Sequence, residues 1–184
     1  MMVGNFIGDF VRGKNFHEIF SPSIALGIEL HREIDEFTDT HPIVLESKIR
    51  LRPKYRHYSP VIVDMFYDHF LAKNWNNYHS LSLDQYAQDA YRIIKAFENV
   101  VPEQVKQLLP YMIKGNWLVN YAQVEGINHA LSGMAQRTPY KSNMEEASKD
   151  LVAHYELFQN EFTIFFHELQ KFCKDFIYQK HKIQ

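Results

Sequence analysis

Apolar residues recur at intervals of three and four along most of this chain, which is the spacing of one helix face. No stretch of useful length alternates apolar and polar residues as a half-buried strand does. Glycine and proline occur seven times each, and they divide the chain into segments of helical length. The pattern predicts an all-α protein built as a single-domain helical bundle.

Proline positions and a capping motif predict where the helices begin and end. Ser21-Pro22 and Ser59-Pro60 each put proline in a first helical turn, where its missing N–H is not needed. Ser142 and Glu145 have the spacing of a capping box, which predicts the start of a long final helix. The predicted helices are 22–37, 43–54, 61–74, 84–99, 102–111, 113–136 and 142–169, with breaks at Pro110 and Gly126.

Length and composition narrow the class of protein. With 184 residues the chain fits one domain, 1–184, and a net charge of −2 predicts affinity for neither nucleic acid nor membrane. The one cysteine excludes an intramolecular disulfide and fits a reducing compartment. No apolar run reaches the roughly 20 residues of a membrane span, and the start lacks the pattern of a secretory signal. We therefore expect a cytoplasmic protein without membrane contacts.

Two pairs of acidic or imidazole side chains are the strongest chemical signal. His31 and Asp35 are four residues apart, as are Asp64 and Asp68, so each pair shares a helix face. Asp64 and Asp68 interrupt the apolar run 61–71, where a buried carboxylate costs several kcal/mol, of order 3 or more, unless it is paired or coordinated. Imidazole beside carboxylates suits Mn, Fe or Zn. The alternatives are a surface His31–Asp35 pair and solvent-facing aspartates.

A metal ion held by these groups would indicate hydrolysis of a phosphate ester. A bound divalent ion lowers the pKa of its water toward about 7 and polarises a phosphoryl oxygen. Arg12 and Arg32 are candidates to hold the phosphate and to offset charge in the transition state. The alternative for each is an ordinary surface arginine.

Several segments of the chain resemble one protein family in order along nearly the whole sequence. They are residues 4–13 (GNFIGDFVRG), 27–35 (GIELHREID) with Thr38-Asp39, 59–71 (SPVIVDMFYDHFL) with Trp75, 117–121 (WLVNY), 126–137 and His154-Tyr155. At these positions the chain resembles the acyl carrier protein phosphodiesterase family. An ordered set of this kind is far more specific than any single short motif.

The resemblance implies a fold, a reaction and a cofactor. The fold would be all-helical and distantly similar to HD-domain metal-dependent phosphohydrolases. The reaction would release 4′-phosphopantetheine from holo acyl carrier protein and leave the apo protein. The cofactor would be a divalent metal, typically Mn²⁺, with Mg²⁺ or Fe²⁺ as alternatives.

The same resemblance implies the site residues, when the functional positions of the family are transferred to the matching positions of this sequence. The implied metal candidates are Asp9, His31, Asp35, Asp64, Asp68 and His69, with Asp9, His31, Asp64 and Asp68 preferred. It stays open which of Asp35 and His69 binds the ion and which orients a ligand. The implied catalytic groups are Asp9, His31, Asp35 and Asp68, and Arg12 and Arg32 would contact the phosphodiester.

One departure concerns the start of the chain. Family members usually begin with an Asn-Phe-Leu-Ala-His-Leu-type segment about a helix ahead of the motif at 4–13, whereas here Met2 directly precedes that motif. If the histidine of that segment binds metal, we expect a depleted site and weaker activity here.

A basic segment lies between the two acid-bearing helices. Residues 48–57 contain five cations, namely Lys48, Arg50, Arg52, Lys54 and Arg56. Acyl carrier proteins are strongly acidic, so this segment is the predicted docking surface for holo acyl carrier protein. The alternatives are a solvated basic loop or a phosphate patch; extended nucleic-acid binding is not expected.

Two other functions stay open at this point. One keeps the HD-like chemistry but acts on a nucleotide or another small phosphodiester. The other is a non-catalytic module that binds acyl carrier protein. Metal content and turnover of small substrates separate them from the leading prediction.

Overall fold

Helices make up the regular structure of the computed structural model, which describes residues 1–183 and has no strand in that range. The predicted all-α class is confirmed. The α-helices of this range are α1 (Met2–Ile7), α2 (Phe16–Ile19), α3 (Pro22–Thr40), α4 (Pro42–Tyr55), α5 (Ser59–Lys73), α6 (Leu83–Ala96), α7 (Glu103–Lys114), α8 (Trp117–Asn120), α9 (Val124–Arg137), α10 (Ala147–Ala153) and α11 (Tyr155–Ile183). Short 3₁₀ turns occupy Gly8–Phe10, Arg56–Tyr58, Trp75–Asn77 and Met144–Glu146.

Both Ser-Pro signals mark true helix starts. Pro22 is the first residue of α3, and the Ser21 carbonyl accepts hydrogen bonds from the N–H groups of Ile24 and Ala25. Pro60 lies in the first turn of α5, whose first residue is Ser59. Proline is compatible with these positions because the first N–H groups of a helix have no partner within it.

The predicted breaks at Pro110 and Gly126 are both wrong. Pro110 lies inside α7, which continues to Lys114, and the break falls instead at Asn116, whose φ of 40° is left-handed. Gly126 lies in the first turn of α9, where a Cβ would be 1.9 Å from the Asn120 carbonyl oxygen. The absence of a side chain at Gly126 thus permits the close approach of α8 and α9. The predicted helix 113–136 is divided accordingly.

The predicted final helix is also divided. Asn143 adopts a left-handed φ of 59°, and the Ser142 hydroxyl accepts a hydrogen bond from the Met144 N–H at 3.4 Å. This replaces the expected capping box. His154 leaves the helical region with φ −123° and ψ 31°, so α10 ends before α11 begins.

The chain divides into two compact units, each described by itself. The first unit comprises residues 1–39, 85–115 and 168–183. In it α1 and α3 meet at two glycines, since a Cβ on Gly4 would lie 1.9 Å from the Ile24 carbonyl and one on Gly27 would lie 2.1 Å from the Met1 carbonyl. This close contact carries the residues that follow α1 toward the middle of α3. Buried apolar residues of this unit include Val3, Ile7, Ile24, Ile28, Leu30, Ala87, Tyr91, Ile94, Val105 and Leu109.

The second unit comprises residues 40–84 and 116–167. Its buried apolar residues include Val44, Leu51, Ile62, Val63, Phe66, Phe70, Ile127, Leu131, Leu151, Phe158 and Phe162. Aromatic rings of α5 and α11 pack edge to face, as in the Phe66–Phe158 pair with centroids 5.0 Å apart. No helix in the described range is both long enough and apolar enough to cross a membrane.

Candidate metal centre

Three side chains of the first unit converge on one point. The Nε2 atom of His31 lies 3.2 Å from Oδ1 of Asp9 and 3.2 Å from Oδ2 of Asp35. One ligand atom from each residue lies within 4.8 Å of the other two. Within residues 1–183, these three residues form the one group of three or more histidine, cysteine or acidic side chains that has the spacing of a metal site. It places two carboxylates beside one imidazole nitrogen.

Local structure explains the convergence. His31 and Asp35 are one turn apart on α3, so both project from the same face. Asp9 arrives from the 3₁₀ turn Gly8–Phe10 that follows α1. The His31 ring packs directly on Gly8, where a Cβ would lie 2.1 Å from its Cδ2 atom. Only glycine at position 8 leaves room for this ring orientation.

Charge and hydrogen bonding tune the three groups differently. The hydrogen bond to Asp9 raises the pKa of His31, and the charge of Asp35 raises it further. The same hydrogen bond lowers the pKa of Asp9. Loss of hydration raises the pKa of Asp35, against the attraction of His31. The two carboxylates thus stabilise the protonated form of the His31 ring.

The donor set fits a divalent cation. An ion at this point would take the place of the Nε2 proton, with the two carboxylates balancing its charge. The His31 side chain is 17% exposed, whereas those of Asp9 and Asp35 are 76% and 53% exposed. The carboxylates therefore face solvent, which leaves coordination positions open to water or substrate.

The loop after Asp9 is held by an arginine. Nη2 of Arg32 donates to the carbonyls of Val11 at 2.9 Å and Gly13 at 2.8 Å, and its guanidinium lies 4.6 Å from the centre of the Phe16 ring. Gly13 has a φ of 82°, which glycine adopts readily. Arg32 thus fixes the backbone on both sides of Arg12. Arg12 itself is exposed.

Asp64 and Asp68 lie one turn apart on α5, in the second unit, and both are exposed. Although Asp68 is exposed as a residue, the protein atoms around its carboxyl reduce the hydration of that group and raise its pKa to about 7, and the charge of Asp64 adds to this rise. Such a carboxyl exchanges its proton near neutral pH. Neither residue belongs to the three-residue group above.

His69 is a satisfied core histidine in this structure. Its side chain is buried, Nδ1–H donates to the Tyr121 carbonyl at 2.9 Å, and Nε2 accepts from the Tyr155 hydroxyl at 2.8 Å. Burial lowers the pKa of His69 and keeps the ring neutral. Because both nitrogens are occupied, His69 is not carried forward as a metal ligand. Between Asp35 and His69, the geometry favours Asp35.

The cations predicted to bind substrate have different surroundings. Arg50 forms a two-pronged contact with Glu161, at 2.8 Å from Nη1 and 2.6 Å from Nη2. Lys54 pairs with Asp150 at 2.9 Å and with Glu146 at 3.2 Å. Arg50 and Lys54 are therefore committed to contacts within the second unit, and we do not assign them to substrate. Arg52 and Arg56 are exposed.

Several contributors were not predicted from the sequence. Gly8 carries no chemistry of its own, although its position next to Asp9 in the motif was a usable signal. Glu161, the partner of Arg50, lies 111 residues away in sequence. Tyr121 and Tyr155 flank His69 only after folding. Partners at such separations leave no local pattern in one sequence.

Comparison with known proteins supplies the family. A family model described as "Acyl carrier protein phosphodiesterase" matches residues 1–169. The chain is 34% identical over 166 residues to the acyl carrier protein phosphodiesterase of Photorhabdus laumondii, covering 90% of this chain and 83% of that protein. The protein of the same name from Yersinia enterocolitica is 32% identical over 175 residues, covering 95% and 90%. The one from Escherichia coli is 34% identical over 174 residues, covering 89% and 84%.

The match extends over the segments that carry the candidate site. Asp9, His31 and Asp35 all lie within the residues matched by the family model. No solved structure matches the chain significantly, so the likeness to HD-domain proteins stays a prediction. With a family match over most of its length and relatives about one-third identical, this chain belongs to the acyl carrier protein phosphodiesterase family.

Proposed function

We propose that this protein hydrolyses the phosphodiester of holo acyl carrier protein, releasing 4′-phosphopantetheine and the apo protein. The reaction would depend on a divalent ion held by Asp9, His31 and Asp35. The convergence of these three side chains within the family-matched segment carries the proposal. The names of the relatives from Photorhabdus, Yersinia and Escherichia support the substrate class.

The ligand chemistry suits Mn²⁺, the ion that the family resemblance implies, with Mg²⁺ and Fe²⁺ as alternatives. Two hard carboxylate oxygens and one imidazole nitrogen form a mixed set that does not demand a soft metal. When bound, such an ion would activate water and polarise a phosphoryl oxygen. Neutral His31 would offer Nε2 as a donor, and Asp9 and Asp35 would balance the positive charge.

Two arginines have separate proposed roles. Arg12 would contact the phosphodiester, since its side chain is exposed and follows Asp9 by three residues. Arg32 would position Arg12 by holding the carbonyls of Val11 and Gly13. Because its Nη2 is already bound to two carbonyls, Arg32 is proposed as a positioning residue.

Asp64 and Asp68 remain proposed contributors to metal binding, and Asp68 also to catalysis. Their support is the matching motif at 59–71 and the raised pKa of Asp68, which fits a group that accepts or releases a proton near pH 7. Metal titration of Asp64→Asn and Asp68→Asn, each compared with Asp89→Asn, tests the ligand assignment. Unchanged affinity in both would remove them from the ligand set.

The carrier protein is proposed to dock against exposed cations of segment 48–57. Arg52 is the clearest candidate, because it lies on the exposed side of α4 near its end. Lys54 has carboxylate partners of its own, and Arg50 has Glu161. Docking through Arg52 would speed association and weaken with salt.

Mass spectrometry of the carrier protein tests the reaction. Chelator-treated protein is incubated with holo acyl carrier protein, with and without Mn²⁺, and the released 4′-phosphopantetheine is measured. We expect conversion to the apo form only with added metal. Intact holo protein under Mn²⁺, Mg²⁺, Fe²⁺ and Zn²⁺ would refute the proposal, and turnover of small phosphodiesters alone would reassign the substrate.

A further inference from the structure

A basic cavity of about 480 Å³ lies in the second unit, between the end of α4 and the segment before α10. Its lining includes Lys54, Arg56, His57, Tyr58, Tyr140 and Lys141. The two lining segments, 53–58 and 140–143, are more than 80 residues apart in sequence. Folding therefore brings together cations that no local motif predicts.

The charge on Lys54 is already balanced, but two other cations are available. Lys54 pairs with Asp150 and Glu146, which form part of the surrounding structure. Arg56 and Lys141 are exposed, and no carboxylate within residues 1–183 forms an ion pair with either. Of the cations that line the cavity, these two side chains are therefore available to contact a ligand.

The backbone at Arg56 is strained. Its φ of 52° and ψ of −123° are close to those of the first central residue of a type II′ turn, a position that glycine dominates. A residue with a Cβ is disfavoured there by about 1–3 kcal/mol. Arginine in place of glycine thus lowers stability, which points to a use for the guanidinium.

The chemistry of the lining indicates the class of ligand. A cavity of this size accommodates a small organic molecule. Arginine and lysine bind phosphate oxygens. Tyrosine rings, here the half-buried Tyr58 and the exposed Tyr140, offer an apolar surface to an organic group joined to the phosphate. We propose that this cavity binds the phosphate of a small phosphorylated ligand through Arg56 and Lys141, with Tyr58 and Tyr140 against its organic part. This proposal does not depend on the hydrolase reaction.

Two sources of such a ligand can be distinguished by calorimetric titration. The probes are adenosine 5′-monophosphate, 4′-phosphopantetheine and their unphosphorylated counterparts, adenosine and pantetheine. We expect at least one phosphorylated probe to bind the wild-type protein at least tenfold more tightly than its counterpart. Preference for 4′-phosphopantetheine would indicate the product or the arm of a carrier protein, and preference for the nucleotide would indicate a nucleotide ligand. Failure of both phosphorylated probes to bind would overturn the proposal.

Matched substitutions test the assigned residues. Arg56→Gln and Lys141→Gln are each expected to lower the affinity for the bound probe about tenfold or more. Arg137→Gln and Lys149→Gln remove the same charges from exposed positions that do not line the cavity, and they should leave affinity unchanged. Equal losses in both sets would mean diffuse attraction and would overturn the site. A further pair of results would also overturn the small-ligand site. In that case the wild type binds no small probe, and Lys141→Glu binds carrier protein more weakly than the wild type does.

A second variant separates binding from stability. Arg56→Gly removes both the guanidinium and the strain, so we expect probe binding to fall tenfold or more while the melting temperature stays the same or rises. Wild-type affinity in a well-folded Arg56→Gly protein would exclude Arg56 from the site. A lower melting temperature would show that arginine is kept for stability, against the reason given for its presence.

Discussion

The missing side chain at Gly8 is the residue-scale feature that makes room for the candidate metal centre. His31 packs against this glycine, and its Nε2 then lies 3.2 Å from both Asp9 and Asp35. A methyl group at position 8 would occupy the space of the imidazole ring. The position of His31 thus depends on a neighbour that has no chemistry of its own.

Gly8→Ala should therefore weaken metal binding. Displacement of the His31 ring is expected to lower Mn²⁺ affinity about tenfold or more, and overpacking should lower stability by about 1–3 kcal/mol. Gly133→Ala is the matched control, since its Cβ would meet only Arg137 at 3.7 Å within α9. There alanine should leave metal affinity unchanged and raise stability by roughly 0.5–1 kcal/mol. Calorimetry and urea unfolding measure both, and wild-type affinity in Gly8→Ala would contradict the packing role.

Asp68 should lower the stability of the metal-free protein at neutral pH. Its pKa of about 7 in the folded state lies above its ordinary value of 3.8, so ionisation favours the unfolded state. This cost is absent below about pH 4 and complete above about pH 7. With chelator present, Asp68→Asn should raise the melting temperature at pH 8 but leave it nearly unchanged at pH 3.5.

The exposed Asp89 provides the control for that measurement. Asp89→Asn removes a surface carboxylate paired with Arg92, and its effect on unfolding should stay within about 0.5 kcal/mol at both pH values. If Asp68→Asn were destabilising at pH 8, or had the same effect at pH 3.5, the raised pKa would be the wrong description.

Residue types and spacing predicted part of the candidate site. His31 and Asp35 form a pair one helical turn apart, and that geometry follows from sequence alone. Spacing alone could not show that Asp9 joins this pair, because its approach to His31 depends on how α1 meets α3. The surroundings of His69 could not be predicted, since nothing in its own segment reveals that Tyr121 and Tyr155 occupy both ring nitrogens.

At the scale of elements, a buried ion pair joins α4 to α11. Glu161 is almost fully buried and accepts hydrogen bonds from the Arg50 guanidinium and from the Ser47 hydroxyl. The guanidinium also lies 4.9 Å from the centre of the Phe158 ring. These contacts give Arg50 a structural role within the second unit.

Arg50→Ala should be strongly destabilising because it leaves the Glu161 carboxylate buried without its cation. The expected loss is about 3–5 kcal/mol in the free energy of unfolding. Arg52→Ala removes an exposed arginine from the same helix and should cost no more than about 0.5 kcal/mol. Equal, small losses in urea unfolding would show that Arg50 is free for substrate, as the sequence first suggested.

Helix boundaries were predicted correctly where a residue at the boundary itself determines it. Pro22 and Pro60 marked the starts of α3 and α5 because proline fits a first turn on chemical grounds alone. Pro110 gave the wrong boundary, since α7 continues past it to Lys114. The true breaks at Asn116 and His154 rest on backbone angles that no residue type in those segments demanded.

At the scale of the whole molecule, recognition of an acidic carrier should depend on exposed charge. Arg52→Glu is expected to lower kcat/KM for holo acyl carrier protein about fivefold, and added salt should shrink the difference. Hydrolysis of a small phosphodiester should be unchanged. Arg137→Glu, a charge reversal at the end of α9, should alter neither. Equal losses on both substrates would contradict docking through Arg52.

The central claim is that Asp9, His31 and Asp35 hold the ion on which hydrolysis depends. The most direct measurement is calorimetric Mn²⁺ binding to chelator-treated His31→Ala, followed by release of 4′-phosphopantetheine in the same samples. His17→Ala is the control, because His17 is an exposed histidine of α2 outside the group. We predict that His31→Ala loses at least about 100-fold in affinity, or about 2.7 kcal/mol, together with its turnover, while His17→Ala retains both. Wild-type Mn²⁺ affinity in folded His31→Ala would contradict the account. So would turnover by His31→Ala after its Mn²⁺ affinity has been lost.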